Sequence, residues 1–168
     1  RRKIKELQPE RAAALTPMAF FVMAVADALR RYPVLNASIT LDGDPNGSGS
    51  IDVHENVNIG IAVATDVGLV VPVVRDADQR SLFDLADEVR RLTVAARDRS
   101  ITTDELRNGT CTITNYGSLG GRFATPMIRP PEVSIVGFGS IRERPIVVDG
   151  SVVARMTLPI STAVDHRL

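Results

Sequence analysis

The strongest constraint on the fold is a run at positions 58–74 that is almost continuously apolar and rich in β-branched residues. Side chains that branch at Cβ pack well on the pleated surface of a sheet, so such a run favours strands. It is interrupted by Asp66-Val67-Gly68, a sequence typical of a tight turn. We therefore predict two buried strands joined by that turn.

Two segments predict helices. Thr16-Pro17 can begin the first, because a threonine side chain can cap the first turn and proline loses no hydrogen bond there, and Pro33 ends it. Ser81 can begin the second, with Asp84 in place of the glutamate of a capping box. Apolar residues recur at helical spacing in both segments, at Phe20, Phe21, Val25, Ala26 and Leu29 in the first and at Leu82, Leu85, Val89, Leu92 and Ala96 in the second.

The rest of the chain alternates strands with loops. Asp149-Gly150 predicts a hairpin between 146–148 and the residues from 152 onward. Further strands are predicted at 35–41, 110–115 and 133–138, a polar loop at 42–50, a short helix from Thr103 to Asn108-Gly109 and a glycine-rich loop at 116–121. No βαβ unit repeats and no phosphate-binding glycine loop follows the first strand, so the order favours an α+β fold over a doubly wound sheet.

Length and composition limit the classes of function. With 168 residues, the chain is one domain or most of one. Its 20 basic and 20 acidic side chains balance to zero net charge, which argues against a nucleic-acid binder. Cys111 is the single cysteine, expected to be a buried small hydrophobe, and no 18-residue apolar run predicts a membrane span. Because Arg1 is not a natural start, we expect a single domain, residues 1–168, that is truncated at both ends.

One of the two histidines, His166, follows the apolar run 152–164 and is the third residue from the end. From the residue type alone, a structural histidine at the end of a strand is the more common case. A neutral imidazole, with a pKa of about 6.5, is also well suited to accept a proton from a reacting group. Both interpretations stand until the residues around His166 are considered.

Asp165-His166-Arg167-Leu168 resembles the first half of DHRxxDG, the active-site signature of the dihydrolipoamide acyltransferases, which are the core subunits of 2-oxoacid dehydrogenase complexes. Further segments resemble this family in the same order along the chain: L-T-P-M-A-F-F at 15–21, P-V-L-N-A-S at 33–38, N-I-G-I-A-V at 58–63, G-L-V-V-P-V at 68–73, T-I-T-N-Y-G at 112–117 and P-P-E at 130–132. The chain is therefore identified as a member of this family, within the chloramphenicol acetyltransferase-like superfamily. The resemblance implies a two-layer domain with a mixed sheet packed by helices.

The reaction that the resemblance implies is acyl transfer between two thiols, dihydrolipoamide and coenzyme A. A free thiol has a pKa of about 8.5, whereas the thiolate is the nucleophile. The family's histidine removes that proton and a hydroxyl stabilises the oxyanion, roles that fall on His166 and Thr114. By its residue type alone, Thr114 is equally a strand threonine selected for β-propensity.

The resemblance also implies a set of coenzyme A contacts and no metal site. These contacts map to Arg1, Thr16, Asp66, Asn115, Ser118, Gly139 and Ile141. For Gly139 and Ile141, simple strand packing is an equally good interpretation. The lipoyl group is expected on a separate domain.

In the family, the histidine and the hydroxyl come from different subunits of a homotrimer, and trimers assemble into a cubic or icosahedral core. The implied partners are the lipoyl domain and the dehydrogenase components, with no nucleic acid and no membrane. The implied location is cytoplasmic in bacteria or the mitochondrial matrix in eukaryotes. Two departures matter: the family's aspartate four residues after the histidine falls beyond Leu168, and we expect the family's first helix and strand and its last helix to be absent.

Two other functions fit the same sequence. The chain could be a non-catalytic core scaffold of this fold, or an acetyltransferase that acts on a small hydroxylated acceptor. The acyl group also stays open among acetyl, succinyl and branched-chain, with the loop at 117–121 weakly favouring the branched-chain or pyruvate type.

Overall fold

The computed structural model describes residues 15–41 and 49–168, with the side chain of Leu41 excepted. Most of the predicted loop at 42–50, and Arg1 as an expected coenzyme A contact, therefore lie outside the described residues.

The described ranges contain two α-helices and eleven strands. The helices are α1 (Pro17–Arg31) and α2 (Leu82–Asp98). The strands are β1 (Ala37–Leu41), β2 (Gly49–Val53), β3 (Ile59–Ile61), β4 (Val63–Thr65), β5 (Gly68–Val70), β6 (Val73–Val74), β7 (Cys111–Asn115), β8 (Ser134–Phe138), β9 (Arg142–Val148), β10 (Ser151–Thr157) and β11 (Ile160–Val164). Short 3-10 turns lie at Pro33–Leu35, Ala77–Gln79, Asp104–Leu106 and Tyr116–Leu119.

The main sheet has five strands in the order β11-β8-β7-β3-β6. Its three central strands are parallel to one another, while β11 and β6 run antiparallel to their neighbours at the two edges. Three two-stranded ribbons accompany it, formed by β1 with β2, β4 with β5 and β9 with β10. The mixed sheet and the two helices confirm the predicted α+β fold.

Both helices contribute to one hydrophobic core with the main sheet. Leu85 and Leu92 of α2 are fully buried in the same cluster as Ile59 of β3 and Ile113 of β7. Phe21 of α1 stacks on Phe138 at the end of β8, with ring centroids 4.0 Å apart. Burying each large aliphatic side chain contributes about 1.5–3 kcal/mol, so this helix-on-sheet contact is what fixes the two layers.

The run at 58–74 forms four short strands rather than the two predicted. β3 and β6 are buried in the main sheet, whereas β4 and β5 form a ribbon on which Leu69 is 68% exposed. The prediction of two wholly buried strands was therefore wrong for the half nearest the turn. Pro72 has no N–H to donate, which accounts for part of the break before β6. Ala62, between β3 and β4, donates its N–H to the carbonyl of Ile113 in β7.

Other differences have local causes. The strand predicted from position 35 starts at Ala37, because Pro33–Leu35 forms a 3-10 turn. β2 was not predicted, since all five of its residues are exposed and carry no burial pattern. The run at 152–164 is divided between β10 and β11, which belong to different sheets. The hairpin at Asp149-Gly150 is confirmed, and both turn residues have positive φ.

Helix capping shows one correct and one wrong prediction. Ser81 accepts a hydrogen bond from the N–H of Asp84, whose carboxylate in turn accepts one from the N–H of Ser81. This is the predicted capping box. Thr16 occupies the same place before α1, but its side chain makes no capping hydrogen bond.

This contrast yields a stability prediction. Ser81→Ala should lower the free energy of unfolding by about 1 kcal/mol, because the N–H of Asp84 loses its partner. Urea denaturation measures this value, and Thr16→Ala is the matched control, expected to cost less than half as much. Equal losses in the two variants would contradict the assignment.

Candidate active site

Parallel strands bring five of the candidate residues to one edge of the main sheet. β7 and β8 run in the same direction, with Thr114 opposite Gly137 and Asn115 opposite Phe138. Their carboxyl ends therefore meet. We call this edge the hydroxyl end, and it carries Thr114, Asn115, Ser118, Gly139 and Ile141.

Thr114 is half-buried in the penultimate position of β7. A Cβ placed on Gly137, its neighbour on β8, would lie 3.4 Å from the Thr114 methyl carbon. Within residues 15–41 and 49–168, the Thr114 hydroxyl makes no hydrogen bond. It is therefore able to donate one to a bound oxygen.

The other residues at the hydroxyl end differ in what they offer. Ser118 is exposed and donates from Oγ to the carbonyl of Asn115 at 2.9 Å. Ile141 is 45% exposed, so its side chain is accessible. Gly139 is buried, and a Cβ there would collide with the carbonyl oxygen of Arg122. The packing interpretation of Gly139 thus has direct support, because the position admits only glycine.

Asp66 lies at the tip of the β4–β5 ribbon, which continues from β3 and leaves the main sheet at the hydroxyl end. Its Oδ2 accepts a hydrogen bond of 2.5 Å from Arg99, just after α2. Thr16 is exposed at the start of α1. In the described part of the chain, no hydrogen bond or ion pair connects either residue to Thr114.

His166 lies at the opposite end of the sheet, which we call the imidazole end. Thr114 is level with Gly137 and Ser161, whereas β11 runs antiparallel and ends with Val164 opposite Ser134. Val164, at the end of β11, is three residues beyond Ser161, which is about 10 Å at a typical rise of 3.3 Å per residue, and His166 lies in the turn that follows. The structure therefore does not bring His166 and Thr114 together within one chain.

The turn that carries His166 is held by its neighbours. Asp165 donates its N–H to the carbonyl of Val133 at 2.8 Å. Arg167 binds the Asp165 carboxylate with Nε at 2.8 Å and Nη2 at 2.5 Å, a bidentate geometry that is specific as well as strong. The Arg167 hydrogen bonds lower the pKa of Asp165 to about 2. His166 itself is exposed.

A polar cluster at the imidazole end was missed by sequence reasoning. The side chain of Glu132 is only 2% exposed, and its Oε2 accepts a 2.6 Å hydrogen bond from the Thr112 hydroxyl. Burial raises the pKa of this carboxyl group. His54, the other histidine, is half-buried with its Nε2 2.7 Å from Ser38 Oγ. The sequence signals for this cluster are three of the family segments, which contain Ser38, Thr112 and Glu132 but do not show that these residues meet.

The cluster lines a cleft of about 610 Å³ at the amino ends of β7 and β8. Glu132 and Ser38, which pair across an isolated antiparallel bridge, both line this cleft. Arg107 and Arg129 also line it.

Cys111 is fully buried at the start of β7, and burial raises the pKa of its thiol to about 12. It is thus the small buried hydrophobe that was predicted, rather than a nucleophile. In the described ranges, no three histidine, cysteine, aspartate or glutamate side chains are grouped so that they could hold a metal ion. Nor does any described helix combine the length and apolarity needed to cross a membrane.

The whole chain, residues 1–168, matches the family described as 2-oxoacid dehydrogenases acyltransferase (catalytic domain). The chain belongs to this family. A curated relative, the dihydrolipoyllysine-residue acetyltransferase component of pyruvate dehydrogenase complex of Staphylococcus aureus, is 46% identical over 168 residues. The match covers 99% of this chain but only 38% of that relative. The chain therefore spans well under half the length of the curated acyltransferase relatives it matches.

Solved acyltransferase structures share its fold. The dihydrolipoamide acetyltransferase (E2p) of Azotobacter vinelandii superimposes with a TM-score of 0.84 at 35% identity, covering 98% of this chain and 70% of that one. The cubic core of the pyruvate dehydrogenase multienzyme complex gives the same values. A chloramphenicol acetyltransferase matches at 14% identity and a TM-score of 0.53, over 95% of this chain and 72% of that one, and shows the fold alone.

The Asp165–Arg167 pair gives a prediction about pH. Because its folded-state pKa lies below the unfolded value of about 3.9, the pair stabilises the native state fully above about pH 4 and loses this effect as the pH falls through about 2. Arg167→Met should raise the Asp165 pKa toward its ordinary value, measured by NMR titration of the carboxyl carbon. Arg155→Met, at an exposed arginine on β10, is the control. An unchanged Asp165 pKa in Arg167→Met would refute the pairing.

Glu132 gives a prediction of opposite sign. Its folded-state pKa is raised, so the native state binds the proton more tightly and stability falls as the pH rises above about 4.3. Glu132→Gln keeps an oxygen for Thr112 and cannot ionise. The free energy of unfolding of Glu132→Gln, relative to that of the unchanged protein, should therefore be higher at pH 8 than at pH 5. Urea denaturation at the two pH values measures this difference.

The control for Glu132 is Glu55→Gln, at an exposed glutamate of the same cleft. Glu55→Gln should change the free energy of unfolding by nearly the same amount at pH 5 and at pH 8, because the Glu55 side chain is exposed to water in the folded protein. If Glu132→Gln lowers the free energy of unfolding equally at both pH values, ionisation of Glu132 does not destabilise the folded protein.

Proposed function

We propose that this domain transfers an acyl group between coenzyme A and a dihydrolipoyl group carried on a separate domain, as part of the core of a 2-oxoacid dehydrogenase complex. Family membership and the Staphylococcus aureus relative support this reaction. So does the Azotobacter vinelandii acetyltransferase, in which a serine, a histidine and an asparagine were investigated for roles in the catalytic mechanism. In our proposal, Thr114 takes the part of the hydroxyl and His166 that of the imidazole.

The observation that carries the proposal is the separation of two complementary groups. At the hydroxyl end, the Thr114 hydroxyl makes no hydrogen bond to any of the residues that the structure describes. At the imidazole end, His166 is exposed on a turn that the Asp165–Arg167 pair holds. Thr114 and His166 lie at different ends of the sheet, so one chain does not combine this imidazole with this hydroxyl. One site would be completed where the imidazole end of a second copy of the chain contacts the hydroxyl end of the first.

The chemistry then needs no covalent enzyme intermediate. Neutral His166 accepts the S–H proton of the incoming thiol, and the thiolate sulfur bonds to the thioester carbonyl carbon. The carbonyl oxygen becomes negative and accepts a hydrogen bond from Thr114. When the C–S bond to the leaving thiolate breaks, the imidazolium returns the proton to that sulfur. One preorganised donor of this kind is typically worth about 3–4 kcal/mol of barrier.

For coenzyme A, the accessible residues of the hydroxyl end are the best supported contacts. Asn115, Ser118 and Ile141 share the edge with Thr114, and Asp66 lies on the ribbon that leaves at this edge. Thr16 is exposed but lies just before α1. For Gly139, we propose a spacing role, because its missing side chain lets two backbone segments meet.

The assembly that we propose is a homotrimer that builds a larger core. The fold it shares with the cubic core of the pyruvate dehydrogenase multienzyme complex supports this proposal. The other proposed partners are a lipoyl domain and the dehydrogenase components, in keeping with the complex named for the Staphylococcus aureus relative.

Two substitutions in the full-length protein test the reaction. Thr114→Ala and His166→Ala should each lower kcat for acetyl transfer from acetyl-coenzyme A to dihydrolipoamide by about 10²–10³-fold. Thr114→Ser keeps a hydroxyl and is the matched control, expected to retain most of the activity. Undiminished activity in either alanine variant would contradict the proposal, and an inactive unchanged protein would favour the scaffold.

Mixing the two variants tests whether the site is shared. Each should keep only its residual activity alone, but after mixed reassembly roughly a quarter of the sites should pair an intact His166 with an intact Thr114 from another subunit. Recovery of activity to that fraction is the expected outcome. No recovery, with mixed oligomers shown by mass spectrometry, would place both groups of each site on one chain.

A further inference from the structure

We propose that Tyr116 is a positioning residue for the Thr114 hydroxyl and acts through a row of residues that crosses three strands. The inference rests on the proposed function, since it concerns the same oxyanion donor. Tyr116 begins the 3-10 turn that follows β7, two residues after Thr114.

The row is defined by strand register. Thr114 of β7 lies opposite Gly137 of β8, and Gly137 lies opposite Ser161 of β11. Residues directly opposite in neighbouring strands share one face of a sheet. Thr114 and Ser161 thus flank a position that has no side chain.

The ring of Tyr116 fills that position. A Cβ on Gly137 would lie 2.7 Å from Tyr116 Cε1 and 3.4 Å from the Thr114 methyl carbon. On another side, a Cβ on Gly121 would lie 2.9 Å from Tyr116 Cδ2. Real Cβ atoms do not approach so closely, so both glycines are needed to admit the ring.

A hydrogen bond holds the ring in this place. The Tyr116 hydroxyl is 2.9 Å from Ser161 Oγ, a bond that joins the turn after β7 to β11. Gly121 also donates its N–H to the Tyr116 carbonyl at 3.1 Å. Tyr116 is therefore restrained through both its backbone and the far end of its side chain.

The consequence for Thr114 is conformational. Its side chain has staggered rotamers, and its hydroxyl has no hydrogen-bond partner in the described part of the chain to select one. The rotamer of Thr114 must therefore be determined by packing against neighbouring side chains. With the methyl group close to the Gly137 position and the ring filling that position, the hydroxyl is held in one direction before substrate arrives, and this preorganisation is what makes an oxyanion donor effective.

The test is kinetic and uses the full-length protein. Tyr116→Phe removes only the bond to Ser161, and Ser161→Ala removes it from the other side together with the 3.5 Å hydrogen bond from the Ala124 N–H. Each should lower kcat for acetyl transfer by about two- to tenfold, the range expected for one hydrogen bond, with the KM for coenzyme A changed by less than about twofold. Tyr32→Phe is the matched control, because Tyr32 is the other tyrosine, 63% exposed, and should be neutral.

Combination with Thr114→Ala separates positioning from a general structural role. In that background, Tyr116→Phe should cause no further loss, because the group that it positions is absent. Additive losses in the double variant, or a kcat in Tyr116→Phe equal to that of the unchanged protein, would overturn the inference. If Thr114→Ala alone is fully active, the proposed function fails instead, so the two failures are distinguishable.

Discussion

The arrangement of the site depends on the parallel pairing of β7 with β8. Because parallel strands end at the same edge, this pairing collects the end of β7, the turn after it and the residues after β8 in one place. β11 pairs with β8 in the opposite direction, so the same sheet carries the chain end with His166 away from that edge. Strand direction thus separates the two groups to which we assign acyl transfer, and under the proposed function a complete site would form only between two chains.

Much of the fold could be predicted because its signals are local. The capping box of Ser81 and Asp84, the apolar periodicity of both helices and the hairpin at Asp149-Gly150 each depend on residues close in sequence. What failed depended on distant partners. The run at 58–74 is divided between the main sheet, where β3 pairs with β7, and the β4–β5 ribbon, and β2 was missed because exposed strands have no burial pattern.

The candidate site shows the same division. Thr114 and His166 were found through short motifs, but their positions at opposite ends of the sheet follow from register, which no local pattern specifies. The burial of Glu132 could not be predicted either, because it depends on residues that are distant in sequence. Glu132 is enclosed by the bridge to Ser38 and by the hydrogen bond from Thr112. Capping also depends on rotamers, so the unused hydroxyl of Thr16 could not be distinguished from the used one of Ser81.

The glycines around the hydroxyl end are explained by packing rather than by phosphate binding. A Cβ on Gly117 would collide with the carbonyl of Gly139, and one on Gly139 would collide with the carbonyl of Arg122. Gly121 and Gly137 make room for the Tyr116 ring. These four positions bring the loop after β7 down onto the end of β8, which shapes the surface beside Thr114. A loop packed so closely cannot adjust freely to a ligand, and a donor on a rigid surface pays little reorganisation energy when charge develops next to it.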